Sequence, residues 1–117
     1  MMDEEKAVLI VEGITDKKHV LKILDEPVEV ICTHGTLGVE KMERMIDEHQ
    51  LDDRTVYILV DEDYSGGKLR KQLTHELPHA RHIYIDRMFR EVATTPEPEL
   101  ARALLSQNFT VKPIYLI

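Results

Sequence analysis

Apolar residues along the chain form two kinds of pattern. Residues 7–11 and 56–60 are the longest unbroken apolar runs, and both have strand length. Neither alternates with a period of two, so both predict strands in a sheet covered on both faces. Val28, Val30 and Ile31 begin another strand, which ends at Thr33-His34-Gly35. Between the strands, apolar positions recur at helical spacing. Val20, Leu21 and Leu24 mark one helix over about 16–24, with Thr15 or Asp16 as its cap and Asp25-Glu26-Pro27 as its stop. Val39, Met42, Met45, Ile46 and His49 mark a second helix over about 38–49. A polar turn at 51–54 and a loop at 61–67 flank the 55–60 strand. Leu69, Leu73 and Leu77 lie four apart in a third helix that breaks at Pro78. Residues 82–85 predict a short fourth strand, 94–98 a proline-containing link and 99–106 a last helix. Residues 110–117 read as extended, at a sheet edge because Pro113 cannot donate to a ladder.

Strand and helix alternate three times before the fourth strand. Such alternation implies parallel strands joined by crossovers, hence a three-layer α/β/α sandwich around a mainly parallel sheet of about four strands. At 117 residues the chain is expected to form one domain. The apolar fraction of 43% and charged fraction of 32% exclude a disordered or collagen-like polymer. No apolar run approaches the roughly 20 residues of a membrane helix. The acidic start, MMDEEK, is unlike a secretory leader. A single cysteine, Cys32, leaves no disulfide framework, so a reducing cytoplasm is the expected location. Cys32 itself, like Met42 and Met45, reads as core filling.

The net charge of −7 argues against non-specific nucleic-acid binding over the whole surface, but its distribution is uneven. Residues 1–63 carry seven basic and 17 acidic side chains, a net −10, while residues 64–117 carry eight and five, a net +3. Lys68, Arg70, Lys71, Arg81, Arg87 and Arg90 make up the basic part. They form either a phosphate-facing patch or a solvated face.

Parallel sheets hold ligands beyond the carboxyl ends of their strands. Glu12 follows the first strand, and Asp61 and Asp63 follow the third. Residues two apart in extended chain point the same way, so Asp61 and Asp63 can share a pocket while Glu62 points elsewhere. If the first and third strands are neighbours, Glu12 joins them. Two unit charges about 4 Å apart near a protein surface interact by about 4 kcal/mol, so such a cluster calls for a cation or a raised pKa. Hard oxygen donors in a half-open site suit Mg²⁺, with Mn²⁺ as a substitute. Gly13, Gly66 and Gly67 adjoin the acids and allow close approach of a phosphate. Ser65 can cap the following helix, and Lys68 and Arg70 stand one turn on. These six are the candidate phosphate-binding residues.

The segments VLIVEG (8–13), CTHGT (32–36) and VDEDYSGGKLRK (60–71), in this order and spacing, resemble a Toprim domain. This is the catalytic domain shared by bacterial primases, topoisomerases, recombination-mediator proteins and some nucleases. The likeness covers roughly residues 6–86, leaving 87–117 as a C-terminal extension. The run from Asp61 through Arg70 is most similar to the branch of the bacterial ribonuclease that matures 5S ribosomal RNA. Lys68 and Arg70 match that branch and not the wider family, and the likeness does not extend into the ribonuclease's additional RNA-binding domain. The resemblance implies Glu12 as general acid/base and Asp61 and Asp63 as Mg²⁺ ligands, with all three catalytic and Glu12 counted with the two aspartates at the metal. It also implies RNA or DNA as partner. Two functions stay open: a Mg²⁺-dependent, nuclease-like enzyme of phosphodiester chemistry, or a non-catalytic Toprim module that binds a partner protein or a nucleic-acid end.

Other motifs fit less well. Asp61-x-Asp63-x-Ser65-Gly66 imitates an EF-hand loop, but its twelfth position is Gln72 and a strand precedes it. An Asp-x-Asp phosphatase needs its motif after the first strand, and a receiver domain needs paired acids where Glu12 stands alone. No phosphate-loop or dinucleotide fingerprint occurs. His75, His79 and His82 cluster in sequence, but Pro78 interrupts the helix that would align them for zinc. His34, just past the second strand, is a turn residue able to line the cleft rim.

Overall fold

The structure is a computed structural model that describes residues 6–117. The acidic start at 1–5, read above as unlike a leader, lies outside the described residues. Four strands form one sheet: β1 (Ala7–Val11), β2 (Val28–Cys32), β3 (Val56–Leu59) and β4 (Arg81–Ile83). Their order is β2-β1-β3-β4 and all pairs are parallel. The helices are α1 (Ile14–Ile23), α2 (Val39–Glu48), α3 (Tyr64–Glu76) and α4 (Glu97–Leu105), with short 3₁₀ turns at Leu51–Asp53 and Pro113–Leu116.

Side-chain alternation divides the core into two layers. Leu9, Val11, Tyr57 and Leu59 face one side, where they pack with Val20 and Ile23 of α1 and Leu100 and Leu104 of α4. Val8, Ile10, Val56 and Ile58 face the other, against Met42 of α2 and Leu69 and Leu73 of α3. Consecutive residues of each central strand thus enter opposite layers, which is why their apolar runs are unbroken. The sandwich expected from the sequence is present, with four parallel strands.

Several local expectations change. In α1 the buried stripe is Val20, Ile23 and Leu24, while Leu21 is 43% exposed. Ile23 and Leu24 lie three and four residues from Val20 and share its face, whereas Leu21, the next residue, points about 100° away from Val20. Val39 is 74% exposed, because it starts α2 before that helix reaches the sheet. The C-terminal segment is no edge strand. It makes one antiparallel bridge, Leu24 to Val111, and then turns into the 3₁₀ helix that Pro113 begins. Phe109 and Val111 are buried in the α1/α4 layer, and Phe109 meets Tyr57 edge-on with ring centroids 4.7 Å apart. Burying these side chains draws the segment across the end of α1 instead of along the sheet. Pro98 likewise sits in the first turn of α4, where its missing N–H costs nothing.

Candidate functional site

In this strand order the chain leaves β1 toward β2 and returns on the other side to β3. The reversal puts a crevice at the carboxyl ends of β1 and β3, whose pairing runs through Ile10 and Ile58. Glu12 lies just past β1. Asp61 and Asp63 lie just past β3. All three line a cavity of about 470 Å³, together with Gly13, Ser65 and His34. Glu62 turns away, as the alternation implies, toward Arg70 at 3.7 Å and Arg87 at 3.9 Å.

Local chemistry fixes each acid. The N–H of Val92 donates to Asp61 Oδ1 at 2.8 Å. Asp63, and not Ser65, caps α3: its Oδ1 accepts the Gly66 N–H at 2.7 Å. Ser65 is exposed in the first turn instead. Asp16, and not Thr15, serves the start of α1 by reaching back from the third helical position to accept the Gly13 N–H at 3.0 Å. His34 holds a left-handed conformation, φ 58°, and its N–H donates to the Glu12 carbonyl at 2.7 Å. That bond ties the turn after β2 to the backbone of the site.

The acids perturb one another. Burial pushes the Asp61 carboxyl up to about 6, and the charges of Asp16, Asp63 and Glu12 add to the shift against the opposing Val92 hydrogen bond. Burial also raises Glu12, followed by the charges of Asp16 and Asp63. Asp16 is raised chiefly by burial, with Glu91 contributing. Asp16 and Glu91 line the same cavity and were not among the candidate site residues read from the sequence. Asp16 lies one helical turn past Glu12-Gly13, so the spacing carried a signal, but its capping role masked it. Glu91 is distant from these residues in the sequence, and no local pattern marked it.

The glycines separate by role. A Cβ on Gly66 would stand 2.0 Å from the Asp61 carbonyl oxygen, so Gly66 lets α3 start directly against the end of β3. A Cβ on Gly67 would meet nothing within 4 Å. Lys68 is exposed, but Arg70 is turned inward and only 13% of its side chain is accessible. Its guanidinium donates to the Ile83 carbonyl at 2.9 Å and to His82 Nδ1 at 2.7 Å. The three clustered histidines do not converge: His79 Nε2 lies 2.9 Å from the Leu51 carbonyl, His75 is exposed beside Glu76, and His82 faces Arg70. Cys32 is half-buried, with Sγ 3.4 Å from the Gly13 carbonyl.

A Toprim domain model matches residues 7–88. The chain belongs to the Toprim domain family. It is 42% identical to the "small TOPRIM domain protein from Bacillus stearothermophilus", and the two structures superpose with a TM-score of 0.89 over 97% of this chain and 94% of that one. The Bacillus subtilis protein YusF is 47% identical over 98% of this chain and 77% of its own length. Ribonuclease M5 of Fusobacterium nucleatum is 31% identical over 75% of this Toprim chain and 47% of its own length. This chain therefore spans under half of that ribonuclease.

Among the described residues, no group of three or more His, Cys, Asp or Glu is placed so that it could hold a metal ion. The donor chemistry nevertheless fits a hard divalent cation. Mg²⁺ uses one or two carboxylates and keeps several waters, and the charge repulsion that adds to burial in raising Asp61 and Glu12 is what a cation would offset. No helix among the described residues is long and apolar enough to cross a membrane.

Proposed function

We propose that this Toprim domain catalyses divalent-metal-dependent cleavage of phosphodiester bonds in RNA or DNA. The observation carrying this reading is the meeting of Glu12, Asp61 and Asp63 in one cavity at the strand reversal, with Asp61 pushed up to about 6. Asp61 and Asp63 would hold Mg²⁺ or Mn²⁺, each with one oxygen already fixed by a backbone N–H, and Glu12 would stand beside them. When bound, the cation neutralises charge on the phosphoryl group and orients the attacking water. Glu12 accepts no hydrogen bond from the protein's described residues, so its carboxylate is free to take a proton from water or return one to the leaving oxygen. Burial and neighbouring acids raise its pKa, which strengthens it as a base. The exposed N-terminal turn of α3, with Ser65, Gly67 and Lys68, offers the adjoining phosphate contacts. Similarity to ribonuclease M5 supports the nuclease class. The single cysteine supports a reducing, cytoplasmic setting.

Incubation of the chain with structured RNA and with DNA, in Mg²⁺ or Mn²⁺, tests the reading. Cleavage is expected, and Glu12→Gln should slow it by about 10²–10⁴-fold, the usual contribution of a proton-transferring side chain. The second reading, a Toprim module that binds a nucleic-acid end or a partner protein without cutting, draws support from the net charge of −7 and from the carboxylates of Asp16 and Glu91 crowding the same cavity. Substrate that stays intact but bound would establish it in place of the enzyme.

A further inference from the structure

Next to the acidic cavity lies a second groove, of about 620 Å³, that includes Asp63, Gly67, Lys68, Lys71 and Tyr84 in its lining. Tyr84 follows β4 and is 58% exposed, although its neighbours Ile83 and Ile85 are buried. It is also held firmly. The Arg70 guanidinium carbon lies 4.2 Å from the centre of its ring, and the His82 ring stacks near it at 6.1 Å and 27°. Arg70 is itself pinned by the Ile83 carbonyl, His82 and Glu62. A rigid aromatic plate, backed by a cation and left open to solvent, is thus built beside two exposed lysines that no described acid pairs with. A third, smaller cavity runs from Tyr84 past Arg87 to Asp61 and joins this plate to the acidic site.

We propose that Tyr84 is a stacking platform for an unpaired base, and that the site receives single-stranded nucleic acid with Lys68 and Lys71 along its phosphates. The proposal rests on the phosphodiester reading of the acidic site and adds the substrate's form. Paired bases expose only their edges, whereas a single strand offers a π-face to an aromatic plate and its phosphates to a cationic rim. Arg70 polarises and fixes the ring from beneath.

The test measures binding by the whole chain in EDTA, where nothing is cut. The probes are labelled oligo(dT), oligo(U), an abasic strand of equal charge and a blunt duplex of equal length. Both single strands should bind tighter than the abasic strand and the duplex. Tyr84→Leu should weaken single-strand binding roughly 5- to 100-fold, the range expected for loss of one stacked base. The slope of log K against log salt should stay unchanged, because no phosphate contact is removed. Tyr84→Phe should keep the affinity, and it serves as the folded control should the Leu variant lose its native melting transition. In that case, the native chain's preference for the normal strands over the abasic strand decides the matter. Equal binding of abasic and normal strands, preference for duplex, or full affinity in a folded Tyr84→Leu would overturn the platform. Cleavage in Mg²⁺ is read separately: base-dependent binding without cleavage removes the enzyme and keeps the platform, while cleavage without a Tyr84 effect does the reverse.

Discussion

At the scale of single residues, the site is built by backbone groups as much as by its acids. Asp61 takes its N–H from Val92, 31 positions away, and Gly66 lets the first turn of α3 pack against the Asp61 backbone. Gly66→Ala should cost about 3 kcal/mol or more, since its Cβ would meet backbone that cannot yield. Gly67→Ala, in open space on the same turn, should instead stabilise by about 0.5–1 kcal/mol. Paired urea melts of the two variants check the contrast, and equal effects would contradict the packing role. Asp61 also sets a pH dependence. Its folded pKa is raised from 3.8 to about 6, so the folded state holds this proton more tightly than the unfolded chain. The associated stability is fully present below about pH 3.8 and is lost as pH rises through about 6. Asp61→Asn keeps an oxygen for the Val92 N–H and removes the charge. It should therefore melt higher than the native chain at pH 7, with the gap closing toward pH 4. A gap independent of pH would show that the Asp61 charge is not the cause.

At the scale of elements, what the sequence made legible depended on how far its signals reach. Strands β1 and β3 were readable because a strand buried on both faces has no polar positions. The carboxyl-end acids followed from where those strands stop. Helix faces were readable to within a residue or two, and Leu21 and Val39 show the error, since position within a stripe depends on how the helix meets the sheet. The 110–117 segment was misread because its conformation is set by burial of Phe109 and Val111 against α1, and no local pattern encodes that. Arg70 illustrates the same limit within α3. The sequence reading placed it with Lys68 among the candidate phosphate-binding residues, yet β4 arrives beside it and supplies a carbonyl and an imidazole. The two cations should therefore separate on mutation. Lys68→Ala should change stability by less than about 0.5 kcal/mol. Arg70→Ala should cost about 1–3 kcal/mol by leaving the Ile83 carbonyl and His82 without their donor. Thermal melts of the two single variants decide it, and a neutral Arg70→Ala would return Arg70 to the surface.

At the scale of the whole molecule, the uneven charge of the sequence becomes spatial. The first half of the chain supplies β1, α1 and β2, and with them Glu12 and Asp16 at the crevice. The second half supplies α3 and β4, and with them the cations of the neighbouring groove. The strand reversal sets one against the other, so the acids concentrate in one cavity of a molecule whose net charge is already −7. Any salt relieves such repulsion by screening, but a divalent ion held between carboxylates relieves it by binding. The two can be told apart by melting the chain in Mg²⁺ and in KCl of the same ionic strength. At ten times its dissociation constant Mg²⁺ should add about 1.4 kcal/mol of stability, and KCl far less. For a domain of this size that corresponds to roughly 5–10 °C in melting temperature. The Mg²⁺ increment should largely vanish when Asp61→Asn and Asp63→Asn are combined. The acid repulsion falls with it, so the double variant without metal should melt above the native chain without metal at pH 7. Equal shifts from Mg²⁺ and KCl would mean that the cavity is screened and not occupied. A Mg²⁺ increment that survives the double substitution would place the ion elsewhere on the acidic half.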